Sequence, residues 1–227
     1  MTRRLICGVG VNDADYVIDV RETIGHTAEG KQIQNHVWRC PYYAEWNSML
    51  SRGHSEKRKI RNPHYTTATV NEEWHLFSRF RAWMVEQPYQ AGMKLDKDVL
   101  LMGNAQYSSD TCRFVPVYIN NLLVNCRKSA KDTLPLGVSF HANSSKFRVR
   151  CRDENSKEQH LGMRADALEG HRLWQKEKAR VIGAMVNKWQ FDPETSHSFS
   201  QDVAMSLFDR VEILTDDYNA YRETTFL

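Results

Sequence analysis

The chain has 227 residues, 41% hydrophobic and 26% charged, enough apolar content for one large or two small globular cores. Its net charge of +3 conceals an uneven spread, because residues 191–227 hold two Lys/Arg against eight Asp/Glu and residues 1–190 therefore carry +9. No apolar run approaches a membrane span or a signal peptide, and five scattered cysteines without a CxxC argue against zinc or disulfide frameworks, so reduced thiols and a cytoplasmic protein are expected.

Leu5 to Val11 opens the chain as a short apolar run. Asn12-Asp13 reads as a turn, Tyr16 to Val20 as a strand, and Thr23 to Gln34 as a glycine-containing polar stretch. From Cys40 to Met84 the apolar spacing is helical. Tyr42, Tyr43, Trp46, Met49 and Leu50 form one stripe, and Trp74, Phe77, Phe80, Trp83 and Met84 another, both read as core. Between them RGHSEKRKIRNPHY reads as a basic loop, in which Arg58 and Lys59 are candidate phosphate contacts; the plain alternative is a solvated loop. His54 and His64 lie in or just after it.

Residues 95–121, LDKDVLLMGNAQYSSDTCRFVPVYINN, carry the chemistry. They read as a strand from Leu95 to Leu101, a polar loop with turn residues at Gly103-Asn104 and Ser108-Ser109-Asp110, a strand from Cys112 to Val115, and a helix opened by Pro116 and running to Ser129. On such a strand Asp96 and Asp98, two apart, share one face and Lys97 takes the other, while Asn120 lies in the first turns of the helix. Carboxylate and amide oxygens suit a hard divalent ion, magnesium or manganese. The bland alternative is a solvated Asp-Lys-Asp face.

The segment resembles the ββα-metal finger of HNH nucleases, in the version carried by phage-encoded homing endonucleases, and CGVGVNDADY near the start is similar to the opening of the same family. The resemblance implies that Asp96 occupies the position of the general-base histidine, Thr111 that of the central asparagine, and Asn120 the last, metal-binding position. It implies catalytic residues Asp96, Asp98, Thr111 and Asn120, with Asp96, Asp98 and Asn120 holding Mg2+ or Mn2+. Only the third letter of HNH stands as such, so the base is Asp96, a histidine such as His54 or His64, or solvent.

Ala130 to Pro135 reads as a linker. Beyond it, LGVSFHANSSKFRVRCRDENSKEQHLGM holds three short strands: Gly137 to His141, Lys146 to Arg152 and Lys157 to Met163. The middle strand alternates, with Lys146, Arg148, Arg150 and Arg152 on one face and Phe147, Val149 and Cys151 on the other. A helix from Ala165 to Met185 offers the apolar face a cover, with Trp174, Val181 and Met185 on the covering side and His171 as a core histidine. Four cations in a row on an open face suit a polyanion.

This stretch is similar to the Apetala/ethylene-response-factor DNA-binding domain, a three-stranded sheet with one packed helix. That likeness implies DNA contacts from Ser139, His141, Lys146, Arg148, Arg150 and Arg152. The tail reads as a helix from about Ser198 to Arg210, then Val211 to Leu214 and a polar end.

The expected architecture is α+β: an HNH-like nuclease domain over 1–132 with its core at 95–129, a sheet-and-helix DNA-binding domain over 133–190, and an acidic helical extension over 191–227. The expected function is site-specific, metal-dependent cleavage of double-stranded DNA in the host cytoplasm, without a membrane or small-molecule cofactor and with the oligomeric state open. The competing reading is a sequence-specific DNA-binding protein that has lost catalysis; an RNA-binding accessory ranks below both.

Overall fold

The computed structural model describes residues 5–124, 126 and 133–227. The elements in chain order are β1 (Asp19–His26), β2 (Gln32–Arg39), α1 (Pro41–His54), α2 (Glu56–Arg61), β3 (Thr69–Val70), α3 (Phe77–Val85), β4 (Lys94–Asp96), β5 (Gln106–Tyr107), β6 (Arg113–Val115), α4 (Val117–Asn120), β7 (Val138–His141), β8 (Lys146–Arg152), β9 (Glu158–Arg164), α5 (Ala167–Phe191) and α6 (Gln201–Asn219). This is a mixed α+β chain with small separate sheets.

It divides into two compact units that interleave along the sequence: residues 1–91 with 103–112, and residues 92–102 with 113–227. The sequence reading had set consecutive boundaries at 132/133 and 190/191. Interleaving arises because β5, inside the loop between β4 and β6, pairs in parallel with β3.

In the first unit the two aromatic stripes meet as expected. Trp46, Phe77 and Phe80 are fully buried, the Trp46 and Phe77 rings lie 5.4 Å apart, and the Trp46 indole donates to the Trp74 carbonyl at 2.7 Å. The start of the chain differs from expectation. The polar stretch Thr23 to Gln34 and its flanks form the antiparallel hairpin β1–β2, turning at Thr27–Lys31, with bulges on both strands, and the strand expected at Tyr16 to Val20 begins only at Asp19. Nearly every residue of it is exposed, so no burial pattern marked it in the sequence. The basic stretch read as a loop is also ordered: it closes α1 and forms α2, whose first turn is capped by the Ser55 hydroxyl.

The second unit has one core. Val99, Val115 and Ile119 belong to the same buried cluster as Val149 and Cys151 of β8, Trp174, Ile182 and Trp189 of α5, and Val203, Leu207 and Leu214 around α6. The sheet β7–β8–β9 is antiparallel with its apolar face on α5, as the alternation required. α5 runs to Phe191, and α6 runs to Asn219, taking in the segment Val211 to Leu214 that had been set apart. α4 is shorter than expected. It passes into a 3-10 turn over Asn121–Leu123 and ends in extended backbone at Val124, since two β-branched residues and an Asn-Asn pair support a helix poorly. The expected continuation to Ser129 and most of the expected linker lie outside the described residues. None of the five cysteines forms a disulfide, and no described helix is long and apolar enough to cross a membrane.

Candidate functional site

β4 pairs antiparallel with β6 through Lys94–Val115, Leu95–Phe114 and Asp96–Arg113, and α4 follows β6. The strand stops at Asp96 instead of continuing to Leu101. The reason is the Asp96 side chain itself: its Oδ1 accepts the backbone N–H of Asp98 at 2.9 Å and of Val99 at 3.0 Å, folding the chain into a turn that a strand cannot contain. Asp98 therefore reaches Asp96 across a turn and not along a strand face.

The two carboxyl groups lie close enough to hydrogen-bond and titrate together. Burial first, and then Asp98, push Asp96 up to about 7. Asp98 is held below the usual carboxylate range although burial opposes this, because Asp96 and the Lys97 ammonium, 2.9 Å from its Oδ2, stabilise its charge. Lys97, assigned to the opposite face by strand alternation, thus reaches the acidic pair.

This donor set fits a hard divalent cation. It is all oxygen, although the Lys97 ammonium and the Arg210 guanidinium already offset part of its negative charge. Among the described residues no group of three or more His, Cys, Asp or Glu is poised to hold a metal, so the carboxylates would need amide, water or phosphate oxygens to complete a shell. Asn120 ends α4, half-buried, on a helix that packs against β4. Thr111 belongs to the first unit, where its hydroxyl donates to the Gln106 carbonyl at 3.2 Å and accepts from the Asn104 amide at 3.1 Å. Its visible work is to tie the loop.

His54 and His64 also belong to the first unit. The His54 ring lies edge-on to His75 with centroids 5.2 Å apart, and burial, His75 and Lys59 together lower its basicity. His64 is exposed in a 3-10 turn. Arg58 stacks over the Tyr65 ring at 5.7 Å, and Lys59 sits on the same half-turn of α2.

Comparison with protein-family models, with curated proteins and with solved structures finds no match. The residues must speak for themselves.

On the second unit's sheet, Val149 and Cys151 are buried beneath β8, while Lys146, Arg148 and Arg150 line an open groove on the other face with His141, Ser144 and Met163. Arg148 is flanked across the strands by Ser139 and Met163. Arg150 is held by Glu158 at 2.8 Å. Arg152 lies on the same face at the exposed end of β8, beyond the groove lining.

Ser144, Glu158, His160 and Met163 were not singled out in the sequence. Ser144 comes from the turn between β7 and β8, and on β9 a bulge conceals the pattern: Arg150 pairs with His160 and Val149 with Gly162, so Leu161 is the extra residue. Leu161 packs toward the core, and His160 and Met163, three apart, emerge on one face.

Proposed function

We propose that this protein is a site-specific, divalent-metal-dependent DNA endonuclease of the HNH type, homing or nicking, that hydrolyses phosphodiester bonds in double-stranded DNA. The observation that carries this reading is the shared core of the second unit. One packed body holds both the Asp96–Asp98 turn and the cationic face of β8, which is what a nuclease needs if the residues that grip DNA are to hold a scissile phosphate at a constant distance from those that cut it.

In this reading the open face of β7–β9 lies along the DNA, with Lys146, Arg148, Arg150 and Arg152 neutralising phosphate and Ser139, His141 and the arginines facing base edges. Arg58 and Lys59 give a further phosphate contact. Asp96, Asp98 and Asn120 would hold Mg2+ or Mn2+, which would supply Lewis-acid stabilisation of charge on the scissile phosphate. Asp96, raised to about 7 by burial and by Asp98, has the basicity of a general base near neutral pH. With a cation bound it would serve as a ligand, and the attacking water would pass its proton to solvent or to another base.

One observation favours a second reading, a DNA-binding protein without catalysis. Asp96 Oδ1 is already engaged by two backbone N–H groups, and no third acidic or imidazole ligand stands beside the pair among the described residues.

Incubation of the purified chain with supercoiled DNA, in Mg2+ or Mn2+ and in EDTA, beside Asp96→Ala and Asn120→Ala, separates the two. Nicked or linear product that requires metal and disappears in both variants, with DNA affinity kept, is expected. Intact DNA under every metal, together with a gel shift abolished by Arg148→Ala/Arg150→Ala, would leave only the binding protein.

A further inference from the structure

The turn that carries Asp96 and Asp98 is gripped from two sides. From its own strand, Asp96 takes the N–H groups of Asp98 and Val99. From α6, more than a hundred residues away, come donors to three consecutive carbonyls: the Arg210 Nη2 donates to Asp98 O at 3.0 Å, and the Ser206 hydroxyl lies 2.9 Å from Val99 O and 3.0 Å from Leu100 O.

The donors are themselves coupled. Arg210 Nη1 donates to both the carbonyl and the hydroxyl of Ser206, each at 2.6 Å, so the guanidinium orients the hydroxyl that holds the turn. Arg210 is only 3% exposed, and its charge interacts with Asp96 and Asp98. At its first turn α6 is also tied to β6, where the Arg113 guanidinium reaches Asp202 at 2.8 Å. A buried arginine is costly to desolvate, and here its hydrogen bonds go to α6 itself and to the one loop bearing the acidic pair.

We propose that Ser206 and Arg210 are positioning residues: α6 clamps the Asp98–Leu100 backbone and so presets the two carboxylates in the arrangement that receives a divalent cation. The proposal rests on the metal-dependent reading given above. Groups behind the ligands commonly decide whether ligands are preorganised, and losing one typically weakens metal binding by about 10- to 100-fold.

The test measures cation binding directly, with the full chain and Mn2+ followed by the loss of the free-ion electron paramagnetic resonance signal, beside DNA affinity and thermal melting. The variants are Ser206→Ala, Ser206→Thr, Arg210→Lys, Arg210→Met and Asp96→Ala. Ser206→Ala and Arg210→Met are expected to weaken Mn2+ binding by about 10-fold or more while DNA affinity stays within about twofold. Ser206→Thr, which keeps the hydroxyl, should stay near wild type, and Arg210→Lys, with one compact donor group for three hydrogen bonds, should fall between. Mn2+ binding that Asp96→Ala removes but Ser206→Ala and Arg210→Met leave unchanged overturns the clamp and spares the metal site. Equal losses in Ser206→Ala and Ser206→Thr also overturn it, because the hydroxyl would then not matter. A wild-type chain that takes up no Mn2+ removes the metal reading and the clamp together. Should Arg210→Met fail to melt cooperatively, the two serine variants decide the question alone.

Discussion

Gly137, just before β7, adopts φ +76°, and a Cβ placed there would lie 2.1 Å from the Trp174 ring. Both features forbid a side chain: the left-handed backbone strains any L residue, and the indole is walled in by the sheet and cannot retreat. Gly137→Ala is expected to lower stability by roughly 2–4 kcal/mol, the sum of strain and overpacking. A urea midpoint equal to wild type would show that the ring can yield. In the sequence this glycine was only the first residue of a strand; the indole opposite it lies 37 positions downstream and leaves no local mark. His171 was legible. It falls on the covering side of the helix, and the structure buries it completely, with Nδ1 on the Leu136 carbonyl and Nε2 accepting the Thr224 N–H.

At the scale of elements, the hairpin β1–β2 shows what periodicity cannot reveal. Two-stranded ribbons in water are marginal, and this one is exposed along nearly its whole length. Side-chain contacts at its base hold it: Asp19 receives Arg39 at 3.1 Å, Arg21 at 2.7 Å and His36 at 2.7 Å. The first of these, with Arg21 and His36 adding to it, holds the Asp19 carboxyl well below the usual carboxylate range. A carboxylate so depressed adds stability at pH values above the ordinary Asp value of about 3.9, and that contribution disappears as pH falls through the folded value. Asp19→Asn should therefore fray the hairpin at neutral pH much as strong acid does in the wild type, seen as faster amide exchange across β1 and β2. Exchange rates unchanged by the substitution would mean that the backbone ladder alone suffices. The sheet β7–β9 is the opposite case: strict alternation in β8 predicted both of its faces, and only the bulge at Leu161 hid the contribution of β9.

At the scale of the molecule, the C-terminal segment is no appendage. Val203, Leu207 and Leu214 share a core with Val149 and Trp174. A chain ending at Phe199 would expose that surface, and it is expected to lose cooperative unfolding of the second unit and, with it, the DNA affinity proposed for the sheet, as read by denaturant titration and gel shift. Full DNA affinity in the shortened chain would mean that sheet and α5 fold as an independent module, as the sequence reading had placed them. The acidity of the tail also acquires a partial role, since Asp202 pairs with Arg113. That the excess positive charge resides before residue 191 agrees with a basic face on β8, although charge counting alone could not say which strand bears it.

By itself the sequence determined the elements whose reasons are local: two aromatic helical stripes, the alternating strand Lys146–Arg152, the long helix that covers it, and an acidic pair opening a hairpin. Periodicities of 2 and 3.6 are written into neighbouring residues and can be read without knowing what lies opposite. Tertiary structure decided the rest. It took Asp98 off the strand and set it across a turn, because one Asp96 oxygen binds two N–H groups more favourably than the ladder would. It drew the loop between β4 and β6 into the first unit through pairing of β5 with β3. It brought Ser206 against Val99, 107 positions apart, and seated Arg210 beneath the acidic turn. Such contacts depend on which buried polar groups find partners once the core has closed, and that is a property of the closed core, absent from any window of the chain.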